Sequence, residues 1–282
     1  MAISTIGSMA GLFNDIFEDA RFIAREMNIM SNLVRNFSAT GWMDRKLGKY
    51  PEIVAQEVAE GVDFASPTEF TKTLEATLSP FEIMAQVILT DKRIDTDPQN
   101  ARQDASTELG NSLATKMDKD LVGVFTSFTT DKGPGAGQTA TIAKFAAALS
   151  VLRNTPTPNP IYIVIHPYCW YDIWTELGQP ASEKAFLGDV ANQALQDFFV
   201  GRWLNVLWFI SANIAIDGDA DAVGAVFNPM AIGLDVRKPP TLEPERDASL
   251  RAWELNVSAG YAKAVIRDEY GVKYKHDATE PA

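Results

Sequence analysis

Residues 97–128 read DPQNARQDASTELGNSLATKMDKDLVGVFTSF. Within them Ala101, Ala105, Leu109, Leu113, Met117, Leu121 and Phe125 recur at every fourth position, the spacing that gathers side chains on one face of an α-helix. Asp97 can accept from the first unpaired N–H groups, and Pro98 fits the first helical position, where a missing N–H costs nothing. The spacing predicts one helix from Asp97 to Phe128, about 46 Å long at 1.5 Å per residue. A helix of that length crosses a whole domain, so the rest of the chain is arranged around it.

Upstream, the pattern changes to strands. In FTKTLEATL, residues 70–78, Phe70, Leu74, Ala76 and Leu78 share one face and Thr71, Thr73, Glu75 and Thr77 the other, with Lys72 interrupting the apolar row. Val58, Val62 and Phe64 alternate with Glu57, Gly61 and Asp63. After Pro80, residues 84–90 (MAQVILT) read as a strand buried on both faces. Gly41–Thr90 is therefore expected to be a hairpin-rich excursion between two helices. The first of these helices is a heptad seam, Phe13, Ile16, Ala20, Ile23, Met27, Met30, Val34 and Phe37, with Asp15, Glu18 and Asp19 near its positive end. Such a seam packs on the chain's own core or on a neighbouring subunit.

Downstream, GPGAG at residues 133–137 reads as a hinge-like break. A helix follows from Thr141 through Ile142, Phe145, Leu149 and Leu152. Residues 161–165 (IYIVI), 203–210 (WLNVLWFI) and 222–227 are apolar enough for strands buried in an α/β lobe, with further helices from Pro167 and over Ser182–Phe199. At the end Trp253, Leu255, Val257, Ala259 and Tyr261 alternate with Glu254, Asn256, Ser258 and Gly260. Val272 and Tyr274 alternate with Lys273 and Lys275. No internal repeat and no linker divides the chain.

Charge narrows the function. Across 282 residues, 25 Lys+Arg face 37 Asp+Glu, a net charge of −12. That disfavours binding to nucleic-acid phosphates and to anionic membranes. The excess is local: residues 51–100 hold 10 acidic and 3 basic side chains. A lone cysteine, Cys169, rules out a disulfide framework. The opening residues lack the pattern of a secretory signal, and no apolar run approaches the ~20 residues of a membrane-spanning helix. The chain is thus expected to be made and used in a reducing cytoplasm, or released by lysis.

Catalytic equipment is sparse. His166 and Cys169, three apart after a strand, form the one conceivable nucleophile pair. Residues 217–221 (DGDAD) look like a calcium loop, but Ala222 and Asn228 stand where an EF-hand needs Gly and Glu, so a polar turn is expected. The 133–139 loop has Gln138 where a phosphate loop needs Lys. Asp118/Asp120 and Glu243/Glu245 lie on stretches that read as solvated. No catalytic residue, no cofactor and no metal ligand set is assigned.

The order of parts resembles the major capsid proteins of tailed bacteriophages. The resemblance rests on residues 80–91 (PFEIMAQVILTD), the helix opening at Asp97-Pro98, and the runs 228–234 (NPMAIGL) and 254–261 (ELNVSAGY). It implies an α+β fold of the Hong Kong 97 type. Residues 1–44 would be the N-arm, 45–93 the E-loop hairpin, 94–139 the P-domain with its long spine helix, 140–228 the A-domain, and 229–282 strands returning to the P-domain. It also implies a structural protein, not an enzyme, self-assembling into hexamers and pentamers of an icosahedral head around double-stranded DNA that it does not bind specifically. The virion would be its location, and the host cytoplasm before assembly. Its partners would be copies of itself, a separate scaffolding protein, a portal and a possible decoration protein, with no membrane. Inter-subunit contacts are expected from Phe70, Leu74 and Leu78 on the E-loop and from Phe13, Ile16, Ile23, Met27 and Met30 on the N-arm. Lys46, Lys49, Lys72 and Asn256 cannot be matched to the covalent crosslink of some relatives. Encapsulin shells are similar at the level of fold; a soluble α/β enzyme using His166 and Cys169 is the remaining alternative.

Overall fold

The computed structural model describes residues 29–61, 63–64, 67, 69–96, 98–178, 202–203 and 206–281. In chain order, a 3₁₀ turn at Met30–Asn32 leads into β1 (Arg35–Ser38), β2 (Arg45–Lys49), β3 (Thr73–Leu78) and β4 (Phe81–Thr90). Two helices follow, α1 (Asp91–Thr96) and α2 (Pro98–Gly123), then a 3₁₀ turn at Val124–Ser127 and α3 (Ile142–Asn154). Next come β5 (Tyr162–Ile165), α4 (Pro167–Gly178), β6 (Arg202–Trp203), β7 (Val206–Ile210) and β8 (Asp221–Phe227). The chain closes with β9 (Ile232–Asp247), β10 (Ala252–Val265) and β11 (Gly271–Asp277). Three sheets result, ordered β1-β9-β10-β4, β11-β8-β5-β7-β6 and β2-β3.

The long helix is present from Pro98 but tightens to 3₁₀ after Gly123, a poor helix former. Its α-helical part is about 39 Å long, and Asp97, the expected cap, lies outside the described residues. Its apolar row divides between two cores. Leu109 and Leu113 pack on Leu255, Val257 and Ala259 of the four-stranded sheet. Leu121 and the following Phe125 enter a second core with Phe227, Leu234 and Tyr261. The predicted apolar row of β10 holds through Tyr261: Trp253, Leu255, Val257, Ala259 and Tyr261 lie opposite Leu89, Val87, Ala85, Ile83 and Phe81 of β4.

Four strand expectations need correction. Where the seam is expected to stay helical to Phe37, Met30–Asn32 form a 3₁₀ turn and Phe37 pairs in parallel with Asp235. Ladder bonds to β9, remote in sequence, override the local period. Val58 and Phe64 lie in no strand. Strand β4, expected to be buried on both faces, alternates strictly: it is the edge of its sheet, with Ile83, Ala85, Val87 and Leu89 turned inward and Met84 and Ile88 left exposed. In place of one strand over 203–210, Arg202–Trp203 and Val206–Ile210 are two antiparallel strands, Arg202 facing Leu207 and Trp203 facing Val206.

In β9 the prolines 239, 240 and 244 all fall beyond Val236, where β1 stops and β10 is the only partner among the described residues. A strand paired on one side tolerates residues without an N–H. The last strand does not follow β9 and β10 into the sheet on α2; β11 pairs along its whole length with β8.

The five-stranded sheet carries α3 and α4. Phe145 stacks on Tyr274 with centroids 3.8 Å apart and meets Trp208 at 5.0 Å. Thr141 caps α3 through the Lys144 N–H, and Glu176 of α4 accepts the Ile142 N–H at 2.7 Å. The glycine loop, expected to be a hinge, is strapped along β11. Lys132 and Gly135 donate to the Lys273 and Lys275 carbonyls, and Gly137 donates to Asp221 Oδ1 at 2.7 Å. A Cβ on Gly133 would collide with the Lys275 backbone, so glycine here serves close approach and not mobility.

Candidate functional site

The feature that stands off from these cores is the β2–β3 hairpin and its long tip. Arg45 pairs with Leu78 at the root and Lys49 with Thr73 at the far end, with a register shift after Leu47. Gly48 sits at that shift because any side chain would run into Lys72 and the Thr73 carbonyl.

The root is fixed by charge. Asp235 of β9, with a fully buried side chain, accepts Arg45 Nε at 2.6 Å and Arg237 Nη2 at 2.7 Å. Further out, Lys49 Nζ donates to Glu269 at 2.7 Å, and Glu75 lies between Lys49 and Arg267. The hydrogen bond from Lys49 to Glu269 holds its ammonium pKa above the ordinary value. Leu78 and Ala76 close the root with buried side chains.

Beyond Lys49 the character reverses. Tyr50, Ile53, Val54, Val58, Phe64, Phe70 and Leu74 are all exposed, and so are Trp42 and Met43 ahead of β2. Tyr50 and Phe70 stack with centroids 4.5 Å apart and planes 5° from parallel, while each keeps half or more of its surface in water (51% and 60%). So large an apolar surface on one excursion is the mark of an interface.

The expected contact residues separate. Phe70 and Leu74 are on this exposed surface. Leu78 and Met30 are fully buried in the chain's own core, so neither offers surface to a neighbour in this fold. Phe13, Ile16, Ile23 and Met27 lie outside the described residues. Sequence reasoning missed Trp42, Met43, Tyr50, Ile53 and Val54, which follow no period.

The groups considered for catalysis do not converge. Cys169 is fully buried, and burial followed by the charge of Asp172 pushes its thiol well above the ordinary range, away from the reactive thiolate. No hydrogen bond joins it to His166, whose Nδ1 accepts the Tyr168 N–H at 3.2 Å. The 217–221 loop is the turn expected: Asp217 Oδ1 accepts the Asp219 and Asp221 N–H groups, and Lys275 reaches Asp217 and Asp221. Asp118 and Asp120, expected to be solvated, are structural. Asp118 is buried and accepts from Met30, Ser211 and Asn213. Asp120 accepts from Tyr261 Oη at 2.6 Å and pairs with Lys116 and Lys263. Among the described residues no group of three or more metal-ligating side chains comes together, and no helix is long and apolar enough to cross a membrane.

The family model described as phage capsid protein matches residues 85–275. No curated protein matches by sequence. Among solved structures, a chain from Gordonia phage Cozz aligns with a TM-score of 0.70 at 11% identity, covering 89% of this chain and 87% of that one. A chain from Mycobacterium phage Che8 aligns at 0.67 and 18% identity, covering 88% and 90%. A virus-like particle from Pyrococcus furiosus aligns at 0.61 and 10% identity, covering 93% and 98%. At such identities the likeness establishes a common fold.

Proposed function

The chain belongs to the phage capsid protein family and has the Hong Kong 97-type fold, and from that premise we propose that it is the self-assembling subunit of an icosahedral phage head. Its copies form hexamers and pentamers and enclose double-stranded DNA. The observation that carries this reading is the exposed hairpin: its root is bolted to the sheet by Asp235, while its tip displays apolar side chains that the chain's own core does not cover. A monomer would gain nothing from that surface, whereas a subunit uses it at every contact.

The hairpin, residues 45–93 by the family's division, reaches a neighbouring subunit through Phe70 and Leu74. The arm within residues 1–44 supplies a second contact through Phe13, Ile16, Ile23 and Met27. A net charge of −12 suits a container that must release its DNA, because a basic wall would retain phosphates. A scaffolding protein and a portal are its partners, and assembly takes place in the host cytoplasm. The subunit works without enzymatic chemistry.

Electron microscopy of the purified chain, alone and co-expressed with its genomic neighbours, tests the proposal. Closed shells or capsomer rings are expected. Compact monomers under both conditions, with the hairpin folded back and protected, would overturn it.

A further inference from the structure

The hairpin tip carries charge as well as apolar surface. Residues 50–71 contain Glu52, Glu57, Glu60, Asp63 and Glu69 and no lysine or arginine. Among the described residues none of these five carboxylates forms an ion pair. Lys72, whose Nζ lies 6.0 Å from the Tyr50 ring centroid, offsets only part of this charge, and a surface that is both apolar and predominantly negative sits best against one that is apolar and positive.

The chain offers such a surface at the other end of the same excursion. Residues 35–46 hold Arg35, Arg45 and Lys46 against Asp44 alone. The guanidinium groups of Arg35 and Arg45 lie 4.9 and 5.1 Å from the Phe37 ring centroid. Arg237 packs behind them with its side chain 6% exposed, and its Nη1 reaches the Gly41 carbonyl at 3.4 Å. Asp235 neutralises only one of the two guanidinium groups it holds. Trp42 and Met43 extend this basic surface with exposed apolar side chains, and Trp42 covers Gly260 so closely that a Cβ there would meet its ring.

We propose that the acidic, apolar tip of one subunit docks on the basic, apolar root formed by Arg35, Lys46, Trp42 and Met43 of a second copy. The inference rests on the shell reading above and names the surface that receives the hairpin. Tip and root are different patches, so the contact is heterologous: each copy gives its tip to one neighbour and its root to another. Repeated with a rotation that closes, such a contact generates rings. The alternative landing place, the outer face of β4, β10 and β9, carries Glu82, Glu243, Glu245 and Glu254 against Lys238. Like charge disfavours the tip there.

Charge exchange tests the pairing. Three variants of the full chain are compared with the parent: tip reversal (E57K/E60K), root reversal (R35E/K46E), and all four changes in one chain. Thermal melts check that each folds; all four positions are exposed, so melting temperatures stay close to the parent's. Light scattering and electron microscopy then follow ring or shell formation against concentration. Each reversal alone is expected to raise the concentration needed for assembly about tenfold or more, and the fourfold variant is expected to restore it. Root reversal that assembles like the parent would overturn the receiving surface while leaving the hairpin contact standing. Loss in both reversals without rescue would overturn the pairing as well. Failure of the parent chain to assemble would instead remove the shell reading on which the inference rests.

Discussion

The carboxylate of Asp118, near the C-terminal end of α2, accepts the backbone N–H of Met30 at 3.0 Å, and both residues are fully buried. Its other oxygen accepts Ser211 Oγ at 3.3 Å and Asn213 Nδ2 at 2.7 Å. One side chain thus holds the end of the N-terminal segment, the long helix and the turn after β7. Replacing Asp118 with Ala leaves three donors without an acceptor in the core. The expected loss is about 3 kcal/mol or more, since buried donors to a charged acceptor are costly to orphan. Asp118→Asn keeps one acceptor and is expected to lose about half as much. Denaturant unfolding of the two variants measures the difference.

The two ends of the β3 apolar row are expected to behave oppositely. Leu78→Ala creates a cavity at a fully buried site and is expected to cost about 2–5 kcal/mol of stability. Phe70→Ser and Leu74→Ser act on exposed side chains and are expected to change stability by less than about 0.5 kcal/mol, while weakening assembly. Melting curves paired with sedimentation of assembled particles separate the two effects.

Gly133 offers a test of the strapped loop. Gly133→Ala forces a methyl group against the Lys275 backbone, with an expected cost of about 1–3 kcal/mol. Gly135, at φ 104° with open space around it, reports strain alone. Hydrogen exchange along β11 is expected to rise in Gly133→Ala and to localise the damage.

Acid should loosen the lobe built on the five-stranded sheet. His276 is fully buried, its Nδ1 directed at the Asp277 carbonyl and its Nε2 without a partner. Burial holds its pKa below the ordinary 6.5 despite the opposing pull of Asp277 and Asp221. Burial and the charge of His276 lower His166 likewise. A base with a depressed folded-state pKa favours the folded state above its unfolded value, and that contribution is lost as pH falls. Stability is therefore expected to drop as pH falls below about 6.5, and His276→Gln is expected to flatten that slope. Asp172, raised above 3.8 mainly by burial, acts in the opposite direction, its contribution fading as pH rises. Urea midpoints at pH 7.5, 6.5 and 5.5 check the sign.

Much of this architecture is legible in the sequence because single-face burial writes a period. Leu109, Leu113, Leu121 and Phe125 mark α2, and Trp253–Val257 and Val272–Tyr274 mark their strands, because each row turns a single face inward. Legibility ends where partners are remote. Phe37 continues a helical spacing but pairs with β9, and the burial of Asp118 depends on donors at 30, 211 and 213. Met84 and Ile88 look like core residues yet face outward, since composition alone does not distinguish an edge strand with an open face from a central one. At the candidate site Phe70 and Leu74 are visible as a stripe. Tyr50, Ile53 and Val54 are not, because an extended tip with no ladder imposes no period.

The three prolines of β9 bear on the time before a shell closes. A subunit accumulates to high concentration while still unassembled, and a bare strand edge with a full row of N–H groups would invite copies to zip together sideways into tangles. At positions 239, 240 and 244 the stretch of β9 beyond Val236 has no N–H to give, so this rim is a poor template for stray strand pairing. Misassembly through it is discouraged in the covalent structure itself, before any chaperone or scaffold acts.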